Sequence, residues 1–226
     1  MKPNRTAPKA HTADRPVAIF GGTGKTGRHL VEQALAAGHH VAVLARTPSK
    51  LDLQHGRLRV VQGDVQDPVA VAATVEGATA VLSALGPTKN APDYQVSRGT
   101  AHVLGAMREH GVRRIVLSAG AGVGAEGDKP KPFDHLISFA LKLAARHVLE
   151  DLTRTVDAVR ASDLDWTVVR VPMLTDGPAT GSVRVGHVGV NSGPRIARAD
   201  LARFMVEQLD DPTHVRASPV ISAPAR

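Results

Sequence analysis

The sequence predicts a single α/β domain with a doubly wound, mostly parallel sheet covered by helices on both faces. From residue 17 onward, short apolar runs rich in β-branched residues alternate with longer amphipathic runs, the pattern of strands joined by crossover helices. Most of the short runs are hydrophobic throughout instead of alternating, which is typical of strands buried on both faces. The length of 226 residues suits one domain with a sizeable core.

The individual elements follow in order along the chain. Strands are predicted at residues 17–20, 40–45, 58–62, 80–85, 114–118 and 166–171, with a weaker one near residue 220. Helices are predicted at residues 24–37, 68–75, 97–110, about 135–161 and 200–209. The first half of the long fourth helix is apolar on almost every side, which would suit a substrate wall, a dimer face or a helix end buried under a loop. The Gly- and Pro-rich segment 120–132 is predicted as a loop at the ligand-binding edge of the sheet.

Composition excludes several classes of protein. The chain has no cysteine, hence no disulfide framework, thiolate zinc site or cysteine nucleophile, and this fits a reducing cytoplasm. Aromatic residues are 3 % of the sequence, too few for base-stacking platforms, and no apolar run reaches the roughly 20 residues that span a bilayer. The net charge of +7 raises the question of a polyanionic partner.

The basic segment 1–15 has no apolar core, so we expect a solvated tail ahead of a domain at residues 16–226. We expect no nucleic-acid partner, because no zinc, helix-turn-helix or aromatic motif accompanies the charge. We also expect no membrane partner, and a cytoplasmic monomer or homodimer. No metal site is predicted.

The most informative segment is a glycine-rich turn at residues 21–27, between the first strand and the first helix. A Walker loop ending in Gly24-Lys25-Thr26 would need glycine at position 19, which is isoleucine inside the strand, so a nucleotide triphosphatase is disfavoured. The glycines fit two forms of the dinucleotide fingerprint: G-x-G-x-x-G at Gly22, Gly24 and Gly27, and G-x-x-G-x-x-G at Gly21, Gly24 and Gly27. Such a turn brings backbone and a helix N-terminus close to a pyrophosphate, so the segment predicts a Rossmann-like, dinucleotide-binding domain.

The end of the second strand selects the cofactor. An NAD site places an acidic residue there to bind the ribose hydroxyls, whereas this sequence has Arg46. A guanidinium matches the 2′-phosphate of NADP in a bidentate fork, and Lys50 could add a second positive charge. Further candidates follow the third and fourth strands at the same predicted edge: Asp64, Val65, Leu85 and Gly86. We therefore predict that NADP(H) is preferred over NAD(H) by at least about tenfold.

Short segments spread over nearly the whole chain after the tail carry a resemblance to one known family. They are Ala18-Ile-Phe-Gly21, Thr23-Gly-Lys-Thr-Gly27, Val43-Leu-Ala-Arg46, Gly63-Asp-Val65, Leu85-Gly86, Ala106-Met107, His110-Gly-Val112, Ser162-Asp-Leu164, Val171-Pro172 and Ile196-Ala-Arg-Ala-Asp-Leu201. Together they resemble the atypical short-chain dehydrogenase/reductases with NmrA-like, NAD(P)-binding folds, within them the NADPH-dependent flavin reductases that include biliverdin reductase B. The resemblance implies roles for these residues: Thr23, Lys25 and Thr26 at the pyrophosphate, Arg46 and Lys50 at the 2′-phosphate, Asp64 and Val65 at the adenine, and Gly86 and Pro172 at the nicotinamide.

The sequence departs from that family in its catalytic positions. The Tyr-x-x-x-Lys pair of the parent superfamily is absent, because the one tyrosine, Tyr94, is followed four residues later by Arg98. A serine of the flavin reductase group falls on Gly120, and two positions that often carry histidine or lysine in relatives fall on Leu152 and Met173. Dehydrogenation or epimerisation by the usual mechanism would therefore lack its acid and base.

Hydride transfer to a flavin, quinone or tetrapyrrole-like acceptor best tolerates this loss, because the cofactor carries the chemistry and water can supply the proton. Ser118, at a strand end, is the candidate catalytic hydroxyl, and a serine that bonds only backbone is the alternative. Phe133, Phe139 and Met173 are candidates for an apolar substrate wall beside a small substrate-side segment near residues 172–198. The alternative function is a non-catalytic NADPH-binding sensor of the NmrA type.

Overall fold

Strands and helices alternate along the chain in the computed structural model, which describes residues 15–87, 89–130 and 145–224. The strands are β1 (Val17–Phe20), β2 (Val41–Ala45), β3 (Leu58–Gln62), β4 (Ala80–Ser83), β5 (Arg114–Gly120), β6 (Asp165–Val171), β7 (Met173–Thr175), β8 (Arg184–Gly186), β9 (Arg195–Ala197) and β10 (Val220–Ser222). The helices are α1 (Lys25–Ala36), α2 (Pro68–Val75), α3 (Gln95–Glu109), α4 (Arg146–Arg160) and α5 (Arg198–Glu207). Short 3-10 turns lie at Pro48–Lys50 and Pro212–His214.

The main sheet has eight strands in the order β3-β2-β1-β4-β5-β6-β10-β8. All neighbours are parallel except β8, which runs antiparallel to β10 at one edge. From β1 the chain winds outward through β2 and β3, and then crosses to β4 on the other side of β1. This reversal leaves a crevice between the carboxyl ends of β1 and β4, where doubly wound sheets bind their ligands. The predicted single α/β domain is confirmed.

Helices bury both faces of the sheet. On one face, Phe20, Met107 and Trp166 belong to a cluster that includes residues of α2, α3 and α4. On the other face, Ile19 and Leu30 belong to a cluster that includes residues of α1 and α5. Because successive strand residues point to opposite faces, a sheet covered on both sides needs apolar residues at every position, which explains the continuous hydrophobic runs.

The segment after β6 contains three strands that the sequence did not predict. β7 and β9 pair in parallel as a separate two-stranded sheet, and β8 joins the edge of the main sheet. Each has three residues, so none is long enough to show a hydrophobic period.

Several predicted boundaries are also wrong. β4 ends at Ser83 and β5 continues to Gly120. The prediction of one continuous helix over residues 135–161 fails at Ala145, whose φ of −138° is not helical, and α4 begins at the next residue. The apolar half of that predicted helix lies almost entirely outside the described residues.

Residues at the start of the described chain join the fold directly. The Arg15 guanidinium donates hydrogen bonds of 3.0 and 3.1 Å to the carbonyl oxygens of Gly77 and Ala78. Within the described ranges, none of the helices combines the length and the hydrophobicity that crossing a bilayer requires.

Candidate functional site

The glycine-rich turn leads directly from β1 into α1. Gly21 has a φ of +80°, a conformation that favours glycine, and a Cβ there would lie 2.7 Å from the carbonyl oxygen of Ala84. The first turn of α1 approaches so closely that a Cβ on Gly27 would overlap the Gly21 carbonyl oxygen. The same oxygen accepts a 3.0 Å hydrogen bond from the Gly24 amide. The turn is therefore built on the G-x-x-G-x-x-G spacing.

The N-terminus of α1 offers the chemistry of an anion site. Gly24 is its N-cap and supplies no side-chain hydrogen bond, and the first turn of the helix carries no acidic residue. Backbone N–H groups and the positive end of the helix dipole are thus left for a phosphate. Lys25 is exposed and Thr26 is half-buried in this turn, whereas Gly22 is buried and packs against Val43.

A cleft follows the carboxyl edge of the sheet beside the turn. Residues at the ends of β1 to β4 and at the start of α3 line it. Its lining includes these predicted cofactor residues: Gly21, Thr23, Arg46, Asp64, Val65, Leu85 and Gly86. It also includes residues that the sequence did not predict, among them Pro87, Lys89, Asp93, Val96 and Asp151. The sequence signal that could have identified Lys89 was its position in the polar loop after the fourth strand.

Basic residues lie near the end of β2. Arg46 follows the strand with an exposed side chain, and its Nη1 lies 3.9 Å from Oδ2 of Asp64. Lys50 ends the 3-10 turn, and its backbone carbonyl accepts a 2.9 Å hydrogen bond from Nη2 of Arg28 on α1. Arg28 is thus a further cation in this region that the sequence did not predict. Its position one helical turn after Gly24 was the signal that could have found it.

Lys25 is joined to the segment after β6 through a carboxylate. Its Nζ lies 2.8 Å from Oδ2 of Asp176, and Nη1 of Arg198 lies 2.6 Å from Oδ1 of the same residue. The hydrogen bond from Lys25 is the largest effect on the pKa of Asp176. Desolvation, the second largest, opposes it, but the Lys25 hydrogen bond and the charges of Arg198 and Lys25 together hold the pKa below its usual range. This bridge connects the first residues of α1 and α5.

The candidates on the acceptor side lie apart from the cleft lining. Ser118 is half-buried in β5, in register with Val169 of β6. Pro172 separates β6 from β7, and Met173 begins β7 with 64 % of its surface exposed. The two predicted wall residues Phe133 and Phe139 lie outside the described residues.

Comparison with known proteins identifies the family. A family model described as NAD(P)H-binding matches residues 21–212, from the glycine turn to the residues beyond α5. The chain belongs to the NAD(P)H-binding family. The cleft between the glycine turn and the ends of β2, β3 and β4 is therefore in the part of the chain that defines this family.

Relatives and solved structures resemble this chain over most of its length. The oxidoreductase ptaF of Pestalotiopsis fici is 28 % identical over 211 residues, which cover 86 % of this chain and 79 % of ptaF. A short-chain dehydrogenase/reductase of Veillonella parvula in complex with NADP is 19 % identical, with a TM-score of 0.75 over 93 % of this chain and 95 % of that one. ChuY, an anaerobillin reductase of Escherichia coli, is 22 % identical, with a TM-score of 0.75 over 93 % of this chain and 98 % of that one. At these identities the two structures establish the fold.

In this NAD(P)H-binding chain, buried Asp151 of α4 holds the start of α3 at the cleft. Its Oδ2 and Oδ1 accept hydrogen bonds of 3.0 and 2.8 Å from the amides of Val96 and Ser97. A carboxylate in this position satisfies N–H groups that the helix leaves unpaired and opposes the positive end of its dipole. Asp151 is therefore a cap supplied from another helix.

Tyr94 precedes α3 in a left-handed conformation, with φ of 48°. Its phenol donates a 2.9 Å hydrogen bond to Oε2 of Glu150, and the guanidinium of Arg154 lies 3.9 Å from its ring centroid. The hydrogen bond to Glu150, with desolvation second, raises the pKa of Tyr94. These contacts assign the one tyrosine of the chain to the junction between α3 and α4.

An ion pair between buried Arg170 and partly buried Asp128 fixes the loop after β5 against β6. Arg170 is fully buried, and its Nη1 and Nη2 donate to the two carboxylate oxygens of Asp128 at 2.6 and 2.9 Å. The guanidinium also donates to the carbonyl oxygens of Val123 and Ser218. Burial acts to raise the pKa of Asp128, but the hydrogen bonds from Arg170 and from two backbone amides outweigh it and lower the pKa. The pair positions residues 121–130 at the ligand-binding edge.

Proposed function

We propose that this protein is an NADPH-dependent reductase that transfers hydride to a flavin, a quinone or a tetrapyrrole-like acceptor. The observation that carries the proposal is the cleft at the sheet's switch point, whose lining includes residues of the glycine-rich turn and Arg46. Relatives whose names include the word oxidoreductase, such as ptaF, support a redox role.

In this proposal the chain itself binds and orients the dinucleotide. The turn at residues 21–27 and the N-terminus of α1 hold the pyrophosphate, with Thr23, Lys25 and Thr26 beside it. Arg46 and Lys50 hold the 2′-phosphate, and Arg28 adds charge and fixes the Lys50 carbonyl. NADPH supplies the hydride when bound.

The adenine lies against Asp64 and Val65, and Leu85, Gly86 and Pro172 face the nicotinamide. With a delocalised acceptor, the main task of the protein is to align the nicotinamide ring with the acceptor ring. The negative charge that arrives with the hydride spreads over the acceptor, and water supplies the proton. Ser118 and the wall residue Met173 lie on that side. A solved structure of the same fold is an anaerobillin reductase, which adds tetrapyrroles to the acceptors worth testing.

An acceptor screen tests the activity. Purified protein is mixed with NADPH and with FMN, riboflavin, a soluble quinone or biliverdin, and the loss of reduced nicotinamide is followed by absorbance. We expect at least one acceptor to be reduced above the enzyme-free rate, and more slowly with NADH at the same concentration. An unchanged rate with every acceptor, in a protein that binds NADPH, would contradict the reductase proposal.

A non-catalytic NADPH sensor is the second candidate. Two observations favour it, because each argues against a hydroxyl as the catalytic acid. The Tyr94 hydroxyl is hydrogen-bonded to Glu150, and Ser118 is not among the described residues that line the cleft. Tight NADPH binding without turnover, together with a protein partner whose capture depends on NADPH, would support the sensor over the reductase.

A further inference from the structure

Asp176 bridges two cations, one in the glycine-rich turn and the other at the start of α5. Lys25 is the first residue of α1, Arg198 is the first residue of α5, and Asp176 directly follows β7. One carboxylate oxygen lies 2.8 Å from the Lys25 ammonium and the other 2.6 Å from the Arg198 guanidinium. The carboxylate therefore lies where two positive charges converge, which is also a favourable position for a phosphate oxygen.

The environment of Lys25 gives its ammonium two possible anionic partners. It stands in a first helical turn without acidic residues, next to a turn built for close approach to a pyrophosphate. In the structure, its partner is Asp176. Building on the proposed function, we propose that Asp176 sets the affinity of the dinucleotide site. Its carboxylate is bonded to the Lys25 ammonium in the free protein, and the pyrophosphate replaces it there when the dinucleotide binds.

The exposure of the three side chains favours such an exchange. The Lys25 and Asp176 side chains are 72 % and 60 % exposed, so water can solvate each group while the bond is broken. An exposed ion pair of this kind contributes little stability and is readily replaced by a more highly charged anion. The Arg198 side chain is only 19 % exposed, and in this proposal its ion pair with Asp176 persists during the exchange. The carboxylate then moves away from Lys25 without leaving Arg198.

The segment that carries Asp176 is anchored independently. The buried carboxylate of Asp200 accepts hydrogen bonds from the amides of Thr180 and Gly181, at 2.8 and 3.1 Å, and from the Thr180 hydroxyl. Loss of the Lys25 contact therefore leaves the path of residues 177–182 in place. The exchange is confined to one side chain, so it can be tested without unfolding the segment.

The test is a double-mutant cycle on NADPH binding, measured by calorimetry for the wild type, Asp176→Asn, Lys25→Met and the double variant. We expect Asp176→Asn to bind NADPH about two- to fivefold more tightly, because the competing carboxylate is gone. In the Lys25→Met background the same substitution should change the affinity by less than about 1.5-fold, since no ammonium remains to compete for. Asp163→Asn, an equal change of charge at a carboxylate 3.7 Å from Arg113 at the other end of the sheet, is the matched control and should leave affinity unchanged.

Two results would overturn the proposal. The first is an Asp176→Asn variant that binds NADPH no more tightly than the wild type. The second is equal tightening with and without Lys25, which would show that Asp176 acts only as a distant negative charge. A wild type that binds NADPH but reduces no acceptor would count against the reductase activity alone, whereas a wild type without measurable dinucleotide binding would overturn both proposals.

Discussion

Gly27 shows how a single residue controls the geometry of the candidate site. It packs against the Gly21 carbonyl with no room for a Cβ, and that contact sets the distance between α1 and the end of β1. The Gly24 amide donates to the same carbonyl oxygen, so a displaced carbonyl would also lose this bond. The position of the helix N-terminus, and with it the anion site, therefore depends on the absence of one methyl group.

The substitution Gly27→Ala should cost about 1–3 kcal/mol of unfolding free energy, as overpacked sites do, and weaken NADPH binding by more than about tenfold. Urea unfolding and a fluorescence titration measure the two effects. Gly105→Ala is the control, because a Cβ at that position of α3 meets nothing within 4 Å. Alanine should stabilise the helix there by about 0.5–1 kcal/mol. A Gly27→Ala protein with wild-type stability and affinity would refute the assigned role of this contact.

In our proposal, Arg46 determines the preference for NADPH over NADH. Its exposed guanidinium lies at the end of β2 and lines the cleft, with Asp64 3.9 Å away. Arg46→Asp should weaken NADPH binding by more than about tenfold, because a carboxylate repels the 2′-phosphate, and leave NADH binding equal or stronger. Parallel titrations with both dinucleotides measure this change. Arg108→Asp, at the far end of α3, is the control for net charge, and an equal loss in both variants would rule out a specific 2′-phosphate contact.

Residue types at strand ends could be read from the sequence, but their partners could not. Arg46 and Asp64 could be placed near each other because parallel strands end at one edge. The pairing of Lys25 with Asp176, 151 positions along the chain, depends on where the short strands β7 and β9 bring the segment back. Asp151, in the middle of a predicted helix, gave no sign that it would cap another helix.

At the scale of elements, the central strands of the main sheet were predictable because burial on both faces demands continuous apolar runs. β1, which is buried throughout, has the bounds that the hydrophobic pattern gave, as do the more exposed edge strand β3 and the helix α2. The helix ends differ by one or two residues where a cap is weak, as at α1 and α3. The strands within residues 172–198 were not predicted. A three-residue strand is defined by the strand it pairs with, because it is too short to show a hydrophobic pattern of its own.

The loop after β5 depends on the Asp128–Arg170 pair, which predicts a pH-dependent stability. The pKa of Asp128 is lowered in the folded protein, so its contribution is fully present above the unfolded pKa of about 3.9 and is lost as the pH falls through the lower, folded value. Asp128→Asn should cost about 3–5 kcal/mol at pH 7, because it leaves a buried guanidinium without its counter-charge. Urea unfolding at pH 7 and pH 3 measures this difference.

The gap between Asp128→Asn and the wild type should narrow as the pH falls, since the wild type loses the same charge by protonation. Asp163→Asn is the matched control. Its carboxylate is 81 % exposed and lies 3.7 Å from Arg113, so its removal should change stability by less than about 1 kcal/mol at either pH. A gap between Asp128→Asn and the wild type that stayed constant with pH would show that the pair contributes packing and not charge.

For the molecule as a whole, we propose that part of the net charge of +7 serves a small anion, the dinucleotide, and not a polymer. Cations from four different elements or loops lie at the start of α1, near the end of β2 or in the cleft lining: Lys25, Arg28, Arg46, Lys50 and Lys89. The contact between Arg28 and Lys50 could not be predicted from the sequence, because it depends on the packing of α1 beside β2. Charge placed in this way would suit the proposed ligand, which carries separate phosphate groups.

Ligand-dependent stability of the whole domain can test this placement without any acceptor. A ligand that binds only the folded state at about 100 times its Kd adds about 2.7 kcal/mol, which for a chain of this size raises the Tm by about 5–10 °C. We expect adenosine 2′,5′-bisphosphate to raise the Tm more than the 3′,5′ isomer at equal concentration, because the two differ only in the phosphate that Arg46 and Lys50 would bind. Arg46→Asp should remove the difference. Equal shifts with both isomers in the wild type would mean that the cations at the end of β2 do not select the 2′-phosphate.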